Sequence, residues 1–399
     1  IDHRRSADYP ALMDALGGKP AEAGPLARSA DLLTAPAILL IGNNPTDQHP
    51  LLAWNMRTNV RLHHGRLFLI NRHNIPLERQ AQVFLQLEAG QEGAALEFLC
   101  GNDAALPAGA DRELWLKFRE RLGAEKDLVV VFGPEVRGDD LRRLVRFGEA
   151  REGQTRYMAL ADYSNSRGAS DMGLYPDLLP GYAPVQDATA RARFEKGWKG
   201  AVPATPGLAL DEMMAAANEG RLAALYVVGA NPLRRYPLAA GRTFLVVQDL
   251  FLTETAQLGD VVLPATSAYE ITGTVTNTCG EVQRLRKALT INGPKPDLEI
   301  IALLAREMGV ALGPVEADEV FEEIRQLVRG YQVPLATLLS GGAAAAITLN
   351  GPVPHRERRH LVHSSNDTLF TSGTLGRYSN TLKSLIEKDL RKNPPGLGD

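Results

Sequence analysis

The amino-acid sequence predicts an α/β fold: two doubly wound, mostly parallel sheet lobes followed by an irregular C-terminal extension. Three observations lead to it. First, an apolar run of strand length, a glycine-containing turn and a helical stretch follow one another at three places. These are Ala37-Ile-Leu-Leu-Ile-Gly-Asn-Asn-Pro45, Asp127-Leu-Val-Val-Val-Phe-Gly-Pro134 and Leu222-Ala-Ala-Leu-Tyr-Val-Val-Gly-Ala-Asn-Pro232. Second, the runs are continuous rather than alternating, the pattern of strands buried on both faces in a helix-covered parallel sheet. Third, the first and last runs end in nearly the same turn, as a pseudo-symmetric pair of nucleotide-type folds would.

Each element follows from its local composition. Further strands are expected at Leu67–Ile70, Thr243–Val247 and Val261–Leu263, which are rich in Val, Ile and Leu. The strands Ala37–Ile41 and Val129–Phe132 should be parallel members of one sheet, and Tyr226–Val228 and Thr243–Val247 of another. Gly138–Glu149 places Leu141, Leu144, Val145 and Phe147 at near-helical spacing. Asp139 and Asp140 open it, where acids suit the helix dipole. Asp211–Glu219 is expected to end at Gly220, a C-cap. Leu298–Met308 and Ala317–Val328 are amphipathic, the second through Val320, Phe321, Ile324, Leu327 and Val328.

Two stretches depart from the pattern. Asp162–Ala204 is rich in Gly, Pro, Ser and Asn and has little periodicity. It is expected to wrap the surface in an ordered way, anchored by Leu174, Tyr175, Leu178, Leu179 and Tyr182. From about Gly330 the periodicity fades again. Gly341–Ala346 is a run of small residues, Pro352–His363 is basic, and Lys392–Asp399 has the composition of a disordered tail. The expected domains are residues 1–205, 206–312 and 313–399.

Composition excludes several classes. The formal net charge is −3, and no basic stripe is interleaved with aromatics, which argues against a nucleic-acid partner. No apolar run approaches the roughly 18–20 residues of a membrane span; the longest, Leu222–Val228, is far shorter. The two cysteines, Cys100 and Cys279, are too few for an iron-sulfur site or a disulfide framework, and fit a reducing compartment. His63, His64, His355, His360 and His363 lie mainly among basic residues, which repel a cation, so no metal site is read from them. Cys279 lies in a polar loop without a nearby base and reads as a passive thiol. No catalytic residue and no metal ligand is assigned. The chain opens at Ile1 without a signal-peptide pattern and reads as a fragment, or as a mature chain whose start lies upstream.

Binding chemistry is concentrated in turns. Gly42 and Asn44, and their counterparts Gly229 and Asn231, follow strands where parallel sheets hold ligands. Gly and Pro also make ordinary strand-to-helix turns, so both readings stand. Neither turn matches a GxGxxG or P-loop pattern. The most informative segment is Phe244–Gln283. There a strand ends at Gln248-Asp249, a helical turn holds Thr253-Glu254-Thr255, and a second strand closes at Pro264. The polar loop Thr272–Thr278 follows. Its hydroxyls and amides suit a phosphate-bearing ligand, or simply water.

This segment resembles the molybdopterin oxidoreductase family, whose members carry "QD", "TET", "ADVVLP" and "GTxTNTxGxxQ" after a strand. Here stand Gln248-Asp249, Thr253-Glu-Thr255, Gly259-Asp-Val-Val-Leu-Pro264 and Gly273-Thr-Val-Thr-Asn-Thr-Cys-Gly-Glu-Val-Gln283. Gly229-Ala-Asn-Pro232 is similar to the family's "GxNP" turn, and Gly42-Asn-Asn-Pro45 with His49-Pro50 to its "GxNPxxxHP". The resemblance covers roughly residues 30 to 310. It implies lobes of the formate dehydrogenase and DMSO reductase type. It also implies that Thr274, Thr276, Asn277, Thr278 and Gln283 form the pterin loop.

Within the family, Asn165-Ser-Arg-Gly168 and Asp171-Met-Gly-Leu-Tyr-Pro-Asp-Leu-Leu-Pro-Gly181 resemble the G-subunit branch of bacterial NADH-quinone oxidoreductase (respiratory complex I). The stretch that carries the molybdenum ligand in catalytic members is absent. The iron-sulfur cysteines of that branch are absent too, and are expected upstream of Ile1. The resemblance therefore implies a scaffold lobe with a vestigial pterin crevice and no cofactor of its own. Its partners would be other peripheral-arm subunits on the cytoplasmic side of the inner membrane, with no membrane span in this chain. Two rival expectations are a fragment of a molybdenum-dependent formate dehydrogenase or nitrate reductase, and a stand-alone scaffold or assembly protein.

Overall fold

A computed structural model describes residues 7–17, 25–234, 236–239, 241–313, 315–340 and the single positions 381 and 384. Gly341–Ala346, Pro352–His363 with its histidines, and the tail from Lys392 lie outside the described residues. By contacts the described residues form two compact units. The first comprises those of Arg4–Gly168 with Thr276–Glu281, and the second those of Ala169–Val275 and Val282–Ala345.

The first unit is built on a five-stranded parallel sheet. Its strands are β1 (Ala37–Ile41), β2 (Arg66–Asn71), β3 (Val83–Gln86), β4 (Asp127–Phe132) and β5 (Gln154–Ala159), in the order β3-β2-β1-β4-β5. Ile38 stands between Leu67 and Val129, and Leu40 between Leu69 and Val131. One face of this register packs on Leu32, Ala53 and Met56 of the covering helices. On the other face, Phe68 meets the ring of Phe118 edge-on at 5.6 Å. All five residues of β1 are buried, as its unbroken apolar sequence requires. The strand order reverses direction at β1, so the loops after β1 and β4 leave toward opposite faces. That switch point is where doubly wound sheets open a crevice.

Helices not singled out in the sequence complete this unit. Tyr9–Leu16 is capped by Asp8, whose carboxylate accepts from the Ala11 N–H, and it ends at Gly17 in the left-handed conformation. Asp139–Glu149 forms as expected, with Leu141, Leu144, Val145 and Phe147 buried.

The second unit begins with part of the Gly/Pro-rich segment. That segment is far more regular than its composition suggests. It contains the helices Ser166–Asp171 and Ala188–Trp198, and an antiparallel pair, β6 (Leu178–Leu179) and β7 (Ala183–Pro184). Helix Ala188–Trp198 escapes a periodicity search because its buried stripe is only Ala190 and Phe194. Its start was nonetheless encoded, since Asp187 caps the Thr189 and Ala190 N–H groups. Of the five expected anchors, Tyr175, Leu178, Leu179 and Tyr182 are buried, whereas Leu174 is only half-buried. Asp171, itself buried, accepts from the Tyr182 hydroxyl at 2.7 Å and the Tyr331 hydroxyl at 2.8 Å. The Tyr331 bond ties this segment to residues beyond 205, and by contacts residues 169–205 group with the second unit.

The second sheet is β8 (Ala224–Val228), β9 (Phe244–Asp249) and β10 (Val261–Pro264), all parallel in the order β10-β9-β8. The expected separation of the four strands into two parallel sheets therefore holds. One expectation fails here: β8 is not buried on both faces. Leu225 and Val227 pack on Met214 and Ala256, whereas Tyr226 and Val228 are exposed. Among the described residues the apolar cluster covers one face alone, so burial alternates with the pleat. Next come β11 (Gly273–Thr276) and β12 (Val282–Leu285), a two-stranded ladder whose turn groups with the first unit. Helices Asp297–Glu307 and Ala317–Leu327 lie within a residue of their predicted ends. No helix among the described residues is long and apolar enough to cross a membrane.

Candidate functional site

At the C-terminal edge of the first sheet, β1 runs into Gly42 and Asn43, both left-handed with φ of 67° and 63°. The Gly42 N–H donates to the Ile70 carbonyl at 2.9 Å, and the Gly133 N–H, just past β4, donates to the Ile41 carbonyl at 3.0 Å. The side chain of Glu135 lies against both loops. Its Oε1 accepts from the Asn43 N–H at 3.3 Å. A Cβ on Gly42 would lie 2.5 Å from Glu135 Oε2, and one on Gly133 would collide with the same oxygen. The two glycines thus leave room for a carboxylate supplied by the chain itself.

Acceptors are in excess at this edge. Asn43 Oδ1, Asn44 Oδ1 and Glu135 Oε2 are buried without a hydrogen-bond partner, as is His49 Nε2. The amide nitrogens are already used: Asn43 Nδ2 donates to Gln48 at 2.8 Å and Asn44 Nδ2 to Asp47 at 2.7 Å. Asn71 Nδ2 donates to the Asn43 carbonyl at 2.6 Å. Burial pushes the imidazole of His49 down to about 4, against the opposing pull of the Asp162 charge. The helical segments that follow β1 both open with proline, at Pro45 and Pro50, and each loses one N–H there. After β4, the helix Asp139–Glu149 offers the Gly138 N–H, which donates to Asp8 Oδ2 at 3.2 Å.

The predicted loop is also occupied by its own bonds. Asn277 Oδ1 accepts from the N–H groups of Cys279 at 3.0 Å and Glu281 at 2.9 Å, and Nδ2 donates to Glu281 Oε2 at 2.9 Å. Thr278 Oγ1 donates to the Ala159 carbonyl at 2.9 Å and shares a hydrogen bond of 3.1 Å with the Tyr9 hydroxyl. The Thr276 N–H reaches Asn165 Oδ1 at 2.9 Å, within the first unit. Cys279 is buried in the apolar cluster of that unit. Burial, with the charge of Glu281, pushes its thiol up to about 12. The structure therefore brings Thr276, Asn277 and Thr278 together in one self-bonded turn. Thr274 and Gln283 lie on the adjoining strands and make no side-chain hydrogen bond among the described residues.

The second turn has a different task. Gly229 is left-handed with φ of 58° and has open space where a Cβ would stand. Asn231 Oδ1 accepts from the Thr255 N–H at 3.2 Å and its hydroxyl at 2.6 Å, and Nδ2 donates to Glu254. Asn231 thereby ties the turn after β8 to the turn after β9, both in the second unit. Gly42 and Asn44 belong to the first. No group of three or more His, Cys, Asp or Glu side chains able to hold a metal occurs among the described residues.

Sequence reasoning missed Glu135 and Asp8. The signal for Glu135 was available: Gly133-Pro134-Glu135 puts an acid two residues past a glycine that ends a buried strand. Asp8 carried only a helix-cap signal, because its second oxygen acts on a residue 130 positions away.

Comparison with known proteins now adds to this geometry. The sequence profile of a family described as molybdopterin oxidoreductase matches residues 84–307, more than half of the chain. Over 394 residues the chain is 29% identical to a G subunit of NADH-quinone oxidoreductase from Rhizobium meliloti (strain 1021), covering 88% of this chain and 46% of that protein. It is also 29% identical over 350 residues to a putative formate dehydrogenase of Staphylococcus haemolyticus (strain JCSC1435), with 75% and 36% covered. The alpha subunit of an F420-dependent formate dehydrogenase from Methanocaldococcus jannaschii is 29% identical over 356 residues, with 76% and 52% covered. The chain thus spans about half or less of the length of these curated relatives.

Proposed function

The chain belongs to the molybdopterin oxidoreductase family, and from that premise we propose that it is a scaffold lobe within the G subunit of an NADH-quinone oxidoreductase. In that role it supports electron transfer from NADH toward quinone and has no active site of its own. Its partners are other subunits of the peripheral arm, on the cytoplasmic side of the inner membrane. The iron-sulfur clusters belong to a part of the protein outside these 399 residues. Likeness to the Rhizobium protein over 88% of the chain supports the choice of branch.

The observation that carries the reading is the self-bonded turn at Thr276–Glu281. A loop that grips a ligand keeps donors and acceptors available for it. Here Asn277 uses both ends of its amide within five residues, and Thr278 donates to Ala159. The residues at the switch point also fit a pterin dinucleotide poorly. A pyrophosphate needs donors, and this edge offers buried acceptors and a carboxylate.

A second reading is favoured by one observation: formate dehydrogenase relatives are as similar per residue as the NADH-quinone oxidoreductase relative. Elemental analysis separates the two. We expect the chain, purified from a host that makes pterin dinucleotide cofactors, to contain molybdenum and iron far below one equivalent. Molybdenum near one equivalent per chain would replace the scaffold reading with the enzyme.

A further inference from the structure

We infer that the switch-point crevice of the first unit is closed from within: the carboxylates of Glu135 and Asp8 take two of the N–H donors that a ligand phosphate would use, and Glu135 fills the space with negative charge. The inference deepens the scaffold reading and rests on it for the claim that the crevice is vestigial.

The general chemistry of such crevices is donor-rich. Backbone N–H groups of the loop after the first strand and of the following helix point outward, and a phosphate bonds to them. Several of these donors are already committed. The Asn43 N–H donates to Glu135 Oε1. Gly42 and Gly133 donate to Ile70 and Ile41. Gly138, at the start of the helix after β4, donates to Asp8 Oδ2. Pro45 and Pro50 have no N–H to offer.

The space is taken as well as the donors. Glu135 Oε2 lies where a Cβ of Gly42 or Gly133 would stand, so the room left by the two glycines holds this carboxylate. What remains unpartnered is of the wrong sign. Asn43 is 7% exposed, and its Oδ1, with Glu135 Oε2, is a buried acceptor without a donor. An incoming phosphate would meet oxygen against oxygen and negative charge against negative charge. Shortening the Glu135 side chain would free the Asn43 N–H, remove the negative charge and open the space beside the two glycines to an anion.

The test compares the wild-type chain with Glu135→Ala and Glu135→Gln, using inorganic pyrophosphate as the probe and isothermal titration calorimetry as the readout. Circular dichroism first establishes that each variant is folded. Wild type should show no saturable binding. Glu135→Ala should bind pyrophosphate at least about tenfold more tightly, with an affinity that falls as salt rises. Glu135→Gln keeps the shape and loses the charge, so it should bind more weakly than the alanine variant and more tightly than wild type. It carries the test alone if Glu135→Ala does not fold. Equal binding by wild type and variants would overturn the closed crevice. Absence of binding by every folded variant would equally overturn it, because the opened space would then not be an anion site. Neither result bears on molybdenum content, which alone decides between scaffold and enzyme.

Discussion

His49 is partly buried, with its Nε2 shut off from water. Its imidazole gains a proton only below about pH 4 in the folded chain, against an ordinary 6.5. Between those values the unfolded chain binds the extra proton, so stability is full above about 6.5 and declines as the pH falls toward 4. The loss should reach on the order of 3 kcal/mol. Denaturant titrations at a series of pH values should give a steeper acid slope for wild type than for His49→Gln, and identical slopes would refute this account. Asn277 supports a second expectation. Asn277→Ala removes three side-chain hydrogen bonds from one turn and should lower stability by about 1–3 kcal/mol in the same assay. Cys279 supplies a third. A thiol pushed up to about 12 by burial is almost wholly protonated at neutral pH. Ellman's reagent should therefore find Cys279 unreactive in the folded Cys100→Ala variant, and reactive after denaturation.

At the scale of elements, the Gly/Pro-rich segment is the sharpest case. Gly173 is left-handed with φ of 67°, and a Cβ there would land on the backbone carbonyl of Leu179. Gly173→Ala should therefore cost about 2 kcal/mol or more, since the left-handed conformation alone costs roughly 1–2 kcal/mol with a side chain. Gly200→Ala, with only the Trp198 carbonyl at 3.8 Å, should change stability by less than about 0.5 kcal/mol. Similar losses for the two would mean that the turn at Gly173 is not held as described. Strand legibility divided along the same physical line. Ala37–Ile41 was readable to the residue because both faces are buried and every position is apolar. β3 and β5 were not singled out: both mix polar residues such as Gln86, Gln154 and Arg156 into strands at the sheet edges.

For the whole molecule, the sequence by itself determined the fold class, the family and the two parallel sheets, because these depend on short runs whose apolar pattern and turn residues are local. It also located the Thr276–Thr278 turn and the Gly42 turn, since both are written as contiguous motifs. Only the tertiary structure decided what those motifs do. Asn165 and Thr276 stand 111 positions apart, Tyr9 and Thr278 269, and Asn43 and Glu135 92, so no window of sequence relates them. Whether a polar turn is open to a ligand or bonded to its own chain depends on the donors that folding brings to it. That is fixed by strand order, which sets the loops after β1 and β4 side by side. The grouping of residues 169–205 was likewise undecided, because Asp171 finds Tyr331 only once the chain has folded back across 160 positions. A local pattern records which residues must be buried, and long-range packing alone assigns the partners of the polar groups buried with them.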